Sequence, residues 1–97
     1  MNYSLHPEAE GDLREAAEFY RERAGNSLSQ SFLTEFEKAV NTLLRYPELG
    51  APWRGNTRRY IMSRFPYSLI YTVFGEEIRI FAVAHHSRRP GYWRRRK

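Results

Sequence analysis

Hydrophobic and polar residues follow two different periods along the chain, and the change between them predicts helices first and strands afterwards. Residues 2–6 alternate at period two and stop at Pro7, which predicts a short strand. From residue 8 to 24, apolar side chains recur at every third or fourth position, and Gly25 then interrupts the pattern. A first helix is therefore predicted over 8–24, with Pro7 suited to its start.

The same apolar spacing resumes after Gly25 and predicts a second helix. Ser27 or Ser29 is positioned to cap its N-terminus, and Tyr46 and Pro47 end it. Its apolar stripe consists of Leu28, Phe32, Phe36, Ala39, Val40 and Leu43. Because each helix has one apolar face and the link between them is short, we expect the two helices to form an antiparallel hairpin.

The second half of the chain reads as a loop followed by strands. Residues 48–56 have no periodicity and contain glycine and proline, which predicts a connecting loop. Beyond it the period is two, and strands are predicted at 59–64, 67–74 and 78–85. Their links are short, so neighbouring strands should pair antiparallel. The pattern predicts one α+β domain over 1–97, in the order β-α-α-β-β-β. A helical hairpin covers one face of a small, mainly antiparallel sheet, and the other face stays open.

Charge is divided unevenly between the two halves. Residues 1–48 carry five basic side chains against nine acidic ones, and residues 49–97 carry eleven against two. Fourteen of the sixteen basic residues are arginine, whose planar guanidinium binds phosphate or carboxylate through two parallel hydrogen bonds. The C-terminal half, with a basic tail at 86–97, is therefore predicted to face RNA, DNA or an acidic protein. The alternative is a solvated surface without a target.

Several kinds of site are excluded by what the sequence lacks. The absence of cysteine rules out disulfides, thiolate metal sites and cysteine nucleophiles. His6, His85 and His86 show no ligand spacing with a neighbouring carboxylate, so we expect no metal and no other cofactor. No stretch approaches the roughly 20 apolar residues that span a bilayer, and the first residues lack the pattern of a signal peptide. A cytoplasmic location without a membrane partner is expected.

Several short motifs follow one another in a fixed order through the predicted strands. They are Arg58-Arg59, Arg64-Phe65-Pro66-Tyr67 followed by Ile70-Tyr71, and Ala82-Val83-Ala84-His85 leading into Arg88, Pro90, Tyr92 and Trp93. Together with the element order, which matches over nearly the whole chain, these motifs resemble the RelE/ParE superfamily of type II toxin-antitoxin toxins. The resemblance implies a toxin of the plasmid stabilisation type. A cognate antitoxin would neutralise it in a hetero-oligomeric complex.

The resemblance leaves two mechanisms open, one of binding and one of catalysis. Members similar to ParE inhibit DNA gyrase and are not nucleases, whereas members similar to RelE cleave mRNA on the ribosome without a metal. The RelE-like members carry a cation directly after the tyrosine that begins the third strand, and here Ser68 follows Tyr67. This difference and the long helices favour a gyrase inhibitor that binds through the helical hairpin and the basic C-terminal surface. The ribosome-dependent endonuclease is the alternative, and an inactive family member is a third reading.

Candidate residues follow from these two mechanisms. Metal-free RNA cleavage needs a base, a cation and an acid around one phosphate, and His85, Arg64, Arg88 and Tyr92 are the catalytic candidates if the chain is a nuclease. His86 is a second candidate for proton transfer, but strand parity places it on the opposite face from His85. RNA or a partner would contact Arg54, Arg58, Arg59, Arg89, Trp93, Arg94 and Arg95. Trp93 either folds back onto the sheet or reaches the partner, and residues 94–97 are expected to be a solvated tail.

Overall fold

Two helices pack against one face of a five-stranded sheet in the computed structural model, which describes residues 1–87, Trp93 and Arg96. The helices are α1 (Pro7–Ala24) and α2 (Asn26–Arg45). The strands are β1 (Asn2–Leu5), β2 (Ala51–Pro52), β3 (Arg58–Ile61), β4 (Tyr67–Phe74) and β5 (Glu77–His85). Their order across the sheet is β1-β5-β4-β3-β2, with β1 parallel to β5 and all other pairs antiparallel. The predicted α+β fold is confirmed. Within the described residues, no helix has the length and apolar content needed to cross a membrane.

The link between the helices is shorter than predicted, and neither serine caps α2. Gly25 takes φ 86°, a backbone conformation that favours glycine, and α2 begins at the next residue without a side-chain cap. Ser29 therefore lies inside the helix. Its hydroxyl donates a hydrogen bond to the Ala17 carbonyl oxygen at 2.9 Å. The serine predicted to cap α2 instead joins α1 and α2 through this hydrogen bond.

The strand predicted at 59–64 is shorter than the sequence pattern indicated. It ends at Ile61 because the chain turns back on itself before β4, and the Met62 N–H bonds to the Tyr67 carbonyl oxygen at 2.9 Å. Arg64 adopts φ 70° inside this turn, a left-handed conformation that a side chain other than glycine rarely takes. Alternation of residue types continues through the turn, so period alone could not locate its start.

Two further boundaries differ from the prediction for local reasons. The loop at 48–56 includes β2, a two-residue strand too short to have a recognisable period, which pairs with the start of β3. His6 lies outside β1 and instead caps α1, where its Nδ1 accepts a hydrogen bond from the Glu8 N–H at 3.0 Å. A residue that seemed to continue the strand pattern therefore begins the helix.

The main core lies between the helical hairpin and the sheet. An aromatic cluster of Tyr20, Phe32, Phe65 and Tyr67 joins α1, α2, the β3–β4 turn and β4. The Phe32 ring lies between the others, with centroids 5.4, 5.3 and 5.1 Å from those of Tyr20, Phe65 and Tyr67. Edge-on and tilted pairs at these separations are the favoured geometry for aromatic rings. The cluster therefore fixes the hairpin against the end of the sheet where the candidate functional residues lie.

The Tyr71 hydroxyl anchors the long loop before β3 to the core. It donates to the Pro47 carbonyl oxygen at 2.7 Å and accepts from the Gly50 N–H at 2.9 Å. Burial raises the pKa of this phenol, so the hydroxyl remains protonated and able to donate. A Cβ atom at Gly50 would lie only 2.7 Å from the hydroxyl oxygen, so this close approach requires glycine.

Replacing Tyr71 with phenylalanine is expected to lower the free energy of unfolding by about 1–3 kcal/mol, because it leaves the Gly50 N–H and the Pro47 carbonyl unpaired. Urea denaturation followed by circular dichroism measures the change. The matched control is Tyr3→Phe, since Tyr3 is 45% exposed and its hydroxyl should contribute little. Equal stabilities of the two variants would show that the loop anchor contributes nothing.

The second face of the sheet is covered, contrary to the prediction that it stays open. A smaller apolar cluster on this face contains Ile70, Ala82 and Ala84, with Trp93 buried against them and Trp53 packed alongside. Trp93 is only 5% exposed. It therefore folds back onto the sheet, which was one of its two predicted placements. The small side chains of Ala82 and Ala84 leave room for an indole, and its burial removes apolar surface from water.

Candidate functional site

A pocket of about 180 Å³ lies on the second face of the sheet, beside the two tryptophans. We call it the indole pocket, and its polar or aromatic lining consists of Trp53, Arg59, Ser68, His85, His86 and Trp93. Strand register brings these residues together: Arg59 pairs with Ile70, and Ser68 pairs with Ala84. Residues separated widely in sequence therefore converge at one end of β3, β4 and β5.

Three side chains in the indole pocket form a hydrogen-bond chain. Arg59 Nε donates to Ser68 Oγ at 3.2 Å, and Ser68 Oγ lies 3.0 Å from His86 Nε2. Ser68 is only 2% exposed, and the Arg59 guanidinium carbon lies 4.7 Å from the centre of the Trp53 ring. This distance is within the range of a cation–π interaction. Arg59 is therefore held in place by contacts on two sides.

The surroundings of His86 favour its neutral form. Burial lowers the pKa of the imidazole most, and the nearby Arg59 cation lowers it further. A lowered pKa in the folded state means that the unfolded chain binds a proton more readily. This contribution to stability is therefore complete above the unfolded pKa of about 6.5 and is lost as the pH falls through the folded pKa.

The unfolding free energy is accordingly expected to fall more steeply on acidification for the wild type than for His86→Gln. Glutamine removes this titration and keeps a polar side chain beside Ser68. Denaturation at about pH 7.5 and about pH 5.5 tests the difference, and the other two histidines are present in both proteins and provide the internal control. An identical pH dependence in the two proteins would contradict the prediction.

His85, the histidine proposed for catalysis, faces the opposite side of the sheet from the Ser68–His86 contact. Its ring packs edge-on against Tyr67 with centroids 5.0 Å apart, and its Nδ1 accepts from the Ser87 N–H at 3.0 Å. The two rings make their contacts on opposite sides, as strand parity predicted, although His85 also lines the edge of the indole pocket. His85 lines an acidic cleft of about 500 Å³, which includes Asp12, Glu15, Glu18 and Glu22 of α1.

The other described catalytic candidate, Arg64, has its own partner. Its guanidinium lies 3.6 Å from the carboxylate of Glu35, a side chain of α2 that is only 8% exposed and that also pairs with Lys38 at 3.7 Å. Arg64 therefore compensates a buried charge at the hairpin. Arg88 and Tyr92 lie outside the described residues, so the described part of the predicted catalytic set forms no joint site.

The predicted contact residues divide between different roles. Arg58 holds the preceding loop, since its Nη1 donates to the carbonyl oxygens of Gly50 at 2.7 Å and Glu48 at 3.0 Å. Arg54 is exposed and lines a small cavity of about 160 Å³ beside Trp93. Arg59 belongs to the indole pocket, and Trp93 is buried rather than presented to solvent. A role for any of them in binding stays a prediction. Arg89, Arg94 and Arg95 lie outside the described residues.

Asp12 and Arg96 form an ion pair that the sequence patterns did not indicate. Arg96 Nη1 lies 2.7 Å from Asp12 Oδ2 and donates to the Phe81 carbonyl oxygen at 3.0 Å, while the same carboxylate oxygen accepts from the Val83 N–H at 3.1 Å. Both side chains are about nine-tenths buried. The expectation of a solvated tail is therefore wrong for Arg96. β1 pairs with β5 only as far as Ile80, and this ion pair satisfies the β5 backbone beyond it.

Sequence reasoning assigned no role to Trp53 and did not foresee the contact between Ser68 and His86. The available signals were the shared face of Ser68 and Ile70, and the position of a tryptophan in a polar loop. Within the described residues, no three histidine, aspartate or glutamate side chains are grouped so that they could hold a metal ion. In the indole pocket, Arg59 supplies a guanidinium suited to the recognition of an anion.

Comparison with known proteins identifies the family. A family model described as the ParE toxin of the type II toxin-antitoxin system parDE matches residues 3–90. A solved structure, the chromosomal ParDE toxin-antitoxin system from P. aeruginosa, has the same fold with a TM-score of 0.76 and 22% identity, covering 88% of this chain and 95% of that one. A search of the curated proteins found no match. Because the family model spans most of the chain, this protein belongs to the ParE family of type II toxin-antitoxin toxins, whose partner is a cognate antitoxin.

Proposed function

We propose that this toxin acts by inhibiting DNA gyrase and does not cleave RNA. The observation that carries the proposal is the separation of the groups that metal-free cleavage would need. His85 lies beside the acidic residues of α1, and His86 contacts Ser68 on the other face. Arg64 is paired with Glu35. General acid–base catalysis requires such groups within hydrogen-bond reach of one substrate, and membership of the ParE family supports a binding mechanism instead.

The electrostatics of the acidic cleft also disfavour RNA at His85. Four carboxylates of α1 line the cleft. Among the described residues, Glu18 pairs with Arg21 and Asp12 pairs with Arg96, while Glu15 and Glu22 have no ion-pair partner. A phosphate group placed beside His85 would meet this negative potential without a compensating cation from the described residues. Position 68, where the RelE-like nucleases carry a cation, holds a serine that is 2% exposed.

The proposed gyrase-binding surface comprises the exposed side of the helical hairpin and the basic C-terminal surface. On α1, Phe19 is 45% exposed, and the guanidinium carbon of Arg23 lies 4.8 Å from the centre of its ring. A large aromatic side chain that remains on the surface and carries an arginine over its face is typical of the residues that dominate protein interfaces. This feature supports the hairpin as part of the binding surface.

A supercoiling assay with purified gyrase tests the proposal directly. The toxin should inhibit supercoiling and lead to accumulation of cleaved DNA bound to gyrase, and premixing with the cognate antitoxin should abolish both effects. In parallel, the toxin is incubated with translating ribosomes, and the mRNA is examined for cuts by primer extension. Intact mRNA together with inhibited gyrase supports the proposal. The endonuclease alternative would be established if gyrase stays active and the mRNA is cut by the wild-type toxin but not by His85→Ala.

A further inference from the structure

The indole pocket contains hydrogen-bond donors that lack an acceptor. Among the described residues, Trp53 Nε1 is the one buried side-chain nitrogen or oxygen atom that has no hydrogen-bond partner. A buried N–H without an acceptor costs free energy, and in folded proteins such groups are rare. Less than 1 Å² of this atom is exposed in the isolated chain, so an acceptor in the pocket satisfies it only if the indole ring turns toward that acceptor.

Arg59 differs from the neighbouring arginines in lacking a nearby carboxylate among the described residues. Arg58, Arg64 and Arg96 each have a carboxylate within 4.0 Å, whereas no described carboxylate comes that close to Arg59. Its Nε is engaged by Ser68, and Trp53 covers one face of the guanidinium. These contacts orient the group without neutralising it. A fixed guanidinium without a counter-ion is preorganised for an anion, because little conformational entropy remains to be lost on binding.

The size and charge of the pocket select the kind of anion. Among the described lining residues Arg59 is the one arginine or lysine, and burial favours the neutral form of His86 by lowering its pKa. A singly charged carboxylate would balance that charge, whereas a doubly charged phosphate placed between two indoles would remain partly uncompensated. A carboxylate is also planar and matches the fork of a guanidinium, and a cavity of about 180 Å³ accommodates one short acidic side chain.

We propose that the indole pocket binds one aspartate or glutamate side chain of the cognate antitoxin, with the carboxylate held by Arg59 and, once the Trp53 ring turns toward the pocket, by its Nε1–H. The antitoxin is the partner that the family supplies, and the half of the chain that contains the pocket carries eleven basic residues against two acidic ones. The inference rests on this family assignment and not on gyrase inhibition. The two proposals therefore fail independently.

The test measures the affinity of the full-length toxin for its cognate antitoxin by calorimetry. Arg59→Gln should weaken binding roughly ten- to hundredfold, because a buried charge-assisted hydrogen bond is lost. Trp53→Phe, which keeps an aromatic ring and removes only the N–H, should weaken binding by a smaller factor. The matched control is Arg45→Gln, an exposed arginine at the end of α2 and outside the pocket, which should change affinity less than about threefold. Arg59→Lys keeps the charge and tests the requirement for the planar fork if the glutamine variant fails to fold.

A second measurement identifies the carboxylate. Each aspartate and glutamate of the antitoxin is replaced singly by asparagine or glutamine, and the binding of each variant is measured against wild-type toxin and Arg59→Gln toxin. One acidic position should weaken binding to the wild-type toxin and have almost no additional effect with Arg59→Gln toxin. No such coupling, or equal effects of Arg59→Gln and Arg45→Gln, would overturn the proposal.

Two other occupants would also be detected. If Arg59→Gln leaves antitoxin affinity unchanged but weakens binding of a single-stranded oligoribonucleotide, the pocket serves RNA and the proposal is wrong. If the toxin alone self-associates through Arg59, as measured by sedimentation, the acidic residue belongs to a second copy of this chain. The gyrase assay described above uses the unmodified toxin. Its failure would refute gyrase inhibition and leave the antitoxin measurements unaffected.

Discussion

Replacing Phe32 with alanine is expected to lower the free energy of unfolding by about 3–5 kcal/mol. Phe32 is fully buried in α2 and contacts three other rings of the aromatic cluster. Removing it leaves a cavity that the rigid neighbouring rings cannot fill, and the loss is comparable with the smaller total stabilities of domains of this size. Thermal unfolding should show a decrease in the midpoint temperature of more than about 10 °C.

The matched control for this change is Phe19→Ala, because it makes the same substitution in the other helix. Phe19 is 45% exposed, so its removal creates no internal cavity and should change stability by less than about 1 kcal/mol. A similar loss of stability in both variants would indicate that helix propensity, and not packing of the aromatic cluster, determines the result. Reduced antitoxin or gyrase binding by Phe19→Ala with normal stability would instead implicate the hairpin surface.

The second large effect is expected from Asp12→Ala, which should cost about 3 kcal/mol, toward the lower end of the range for breaking a buried ion pair. The substitution leaves the Arg96 guanidinium without the carboxylate that lies 2.7 Å away and also leaves the Val83 N–H without its acceptor. The cost stays moderate because the Glu8 carboxylate remains 3.4 Å from Arg96 Nε and because the 10% exposure of Arg96 admits water. Chemical denaturation measures the loss.

Two comparisons separate this ion pair from general effects of charge on α1. Glu10→Ala removes an exposed carboxylate whose pairing with Arg14 should contribute less than about 1 kcal/mol. A double-mutant cycle with Asp12→Ala and Arg96→Ala should give a coupling free energy above about 1 kcal/mol, since the two side chains are in direct contact. Additive effects, or an Asp12→Ala loss no greater than that of Glu10→Ala, would mean that Arg96 does not hold the chain end against β5.

The two clefts beside the end of β5 differ in charge, and this difference bears on how the toxin meets its partners. His85 lies beside the carboxylates of α1, and the indole pocket on the other face presents Arg59. One strand, β5, ends between these two environments, so adjacent histidines experience different surroundings. An acidic antitoxin segment would be attracted to one face and repelled by the other, which favours a single orientation of binding.

Much of the fold could be predicted because it depends on local patterns. Period-two alternation located β4 at 67–74, and helical spacing located α1 and α2 to within a few residues. The parity of the strands also separated His85 from His86 correctly, since successive side chains on a strand point to opposite faces. These features follow from backbone geometry within a few residues, so a single sequence contains the information.

The candidate site was predicted less completely, because its contacts join residues that are distant in sequence. Arg59 was identified as a contact residue from its charge, but its stacking on Trp53 depends on how the loop after α2 returns to the sheet. Arg64 and His85 were grouped as catalytic residues, and packing instead directs them to Glu35 and to the acidic cleft. Residue types indicated which side chains could bind an anion or transfer a proton. The contacts of each side chain in the folded structure determine which of these roles it can take.

The sequence by itself determined the order of the elements, the amphipathic faces of the helices and the uneven division of charge, because these properties depend on residue types and short spacings. Only the tertiary structure decided that the second sheet face is covered by tryptophans, that Asp12 pairs with Arg96, and that Trp53 Nε1 lacks an acceptor. Asp12 and Arg96 are 84 residues apart in the sequence. Burial and ion pairing arise from such long-range contacts, and no local pattern of residues encodes them.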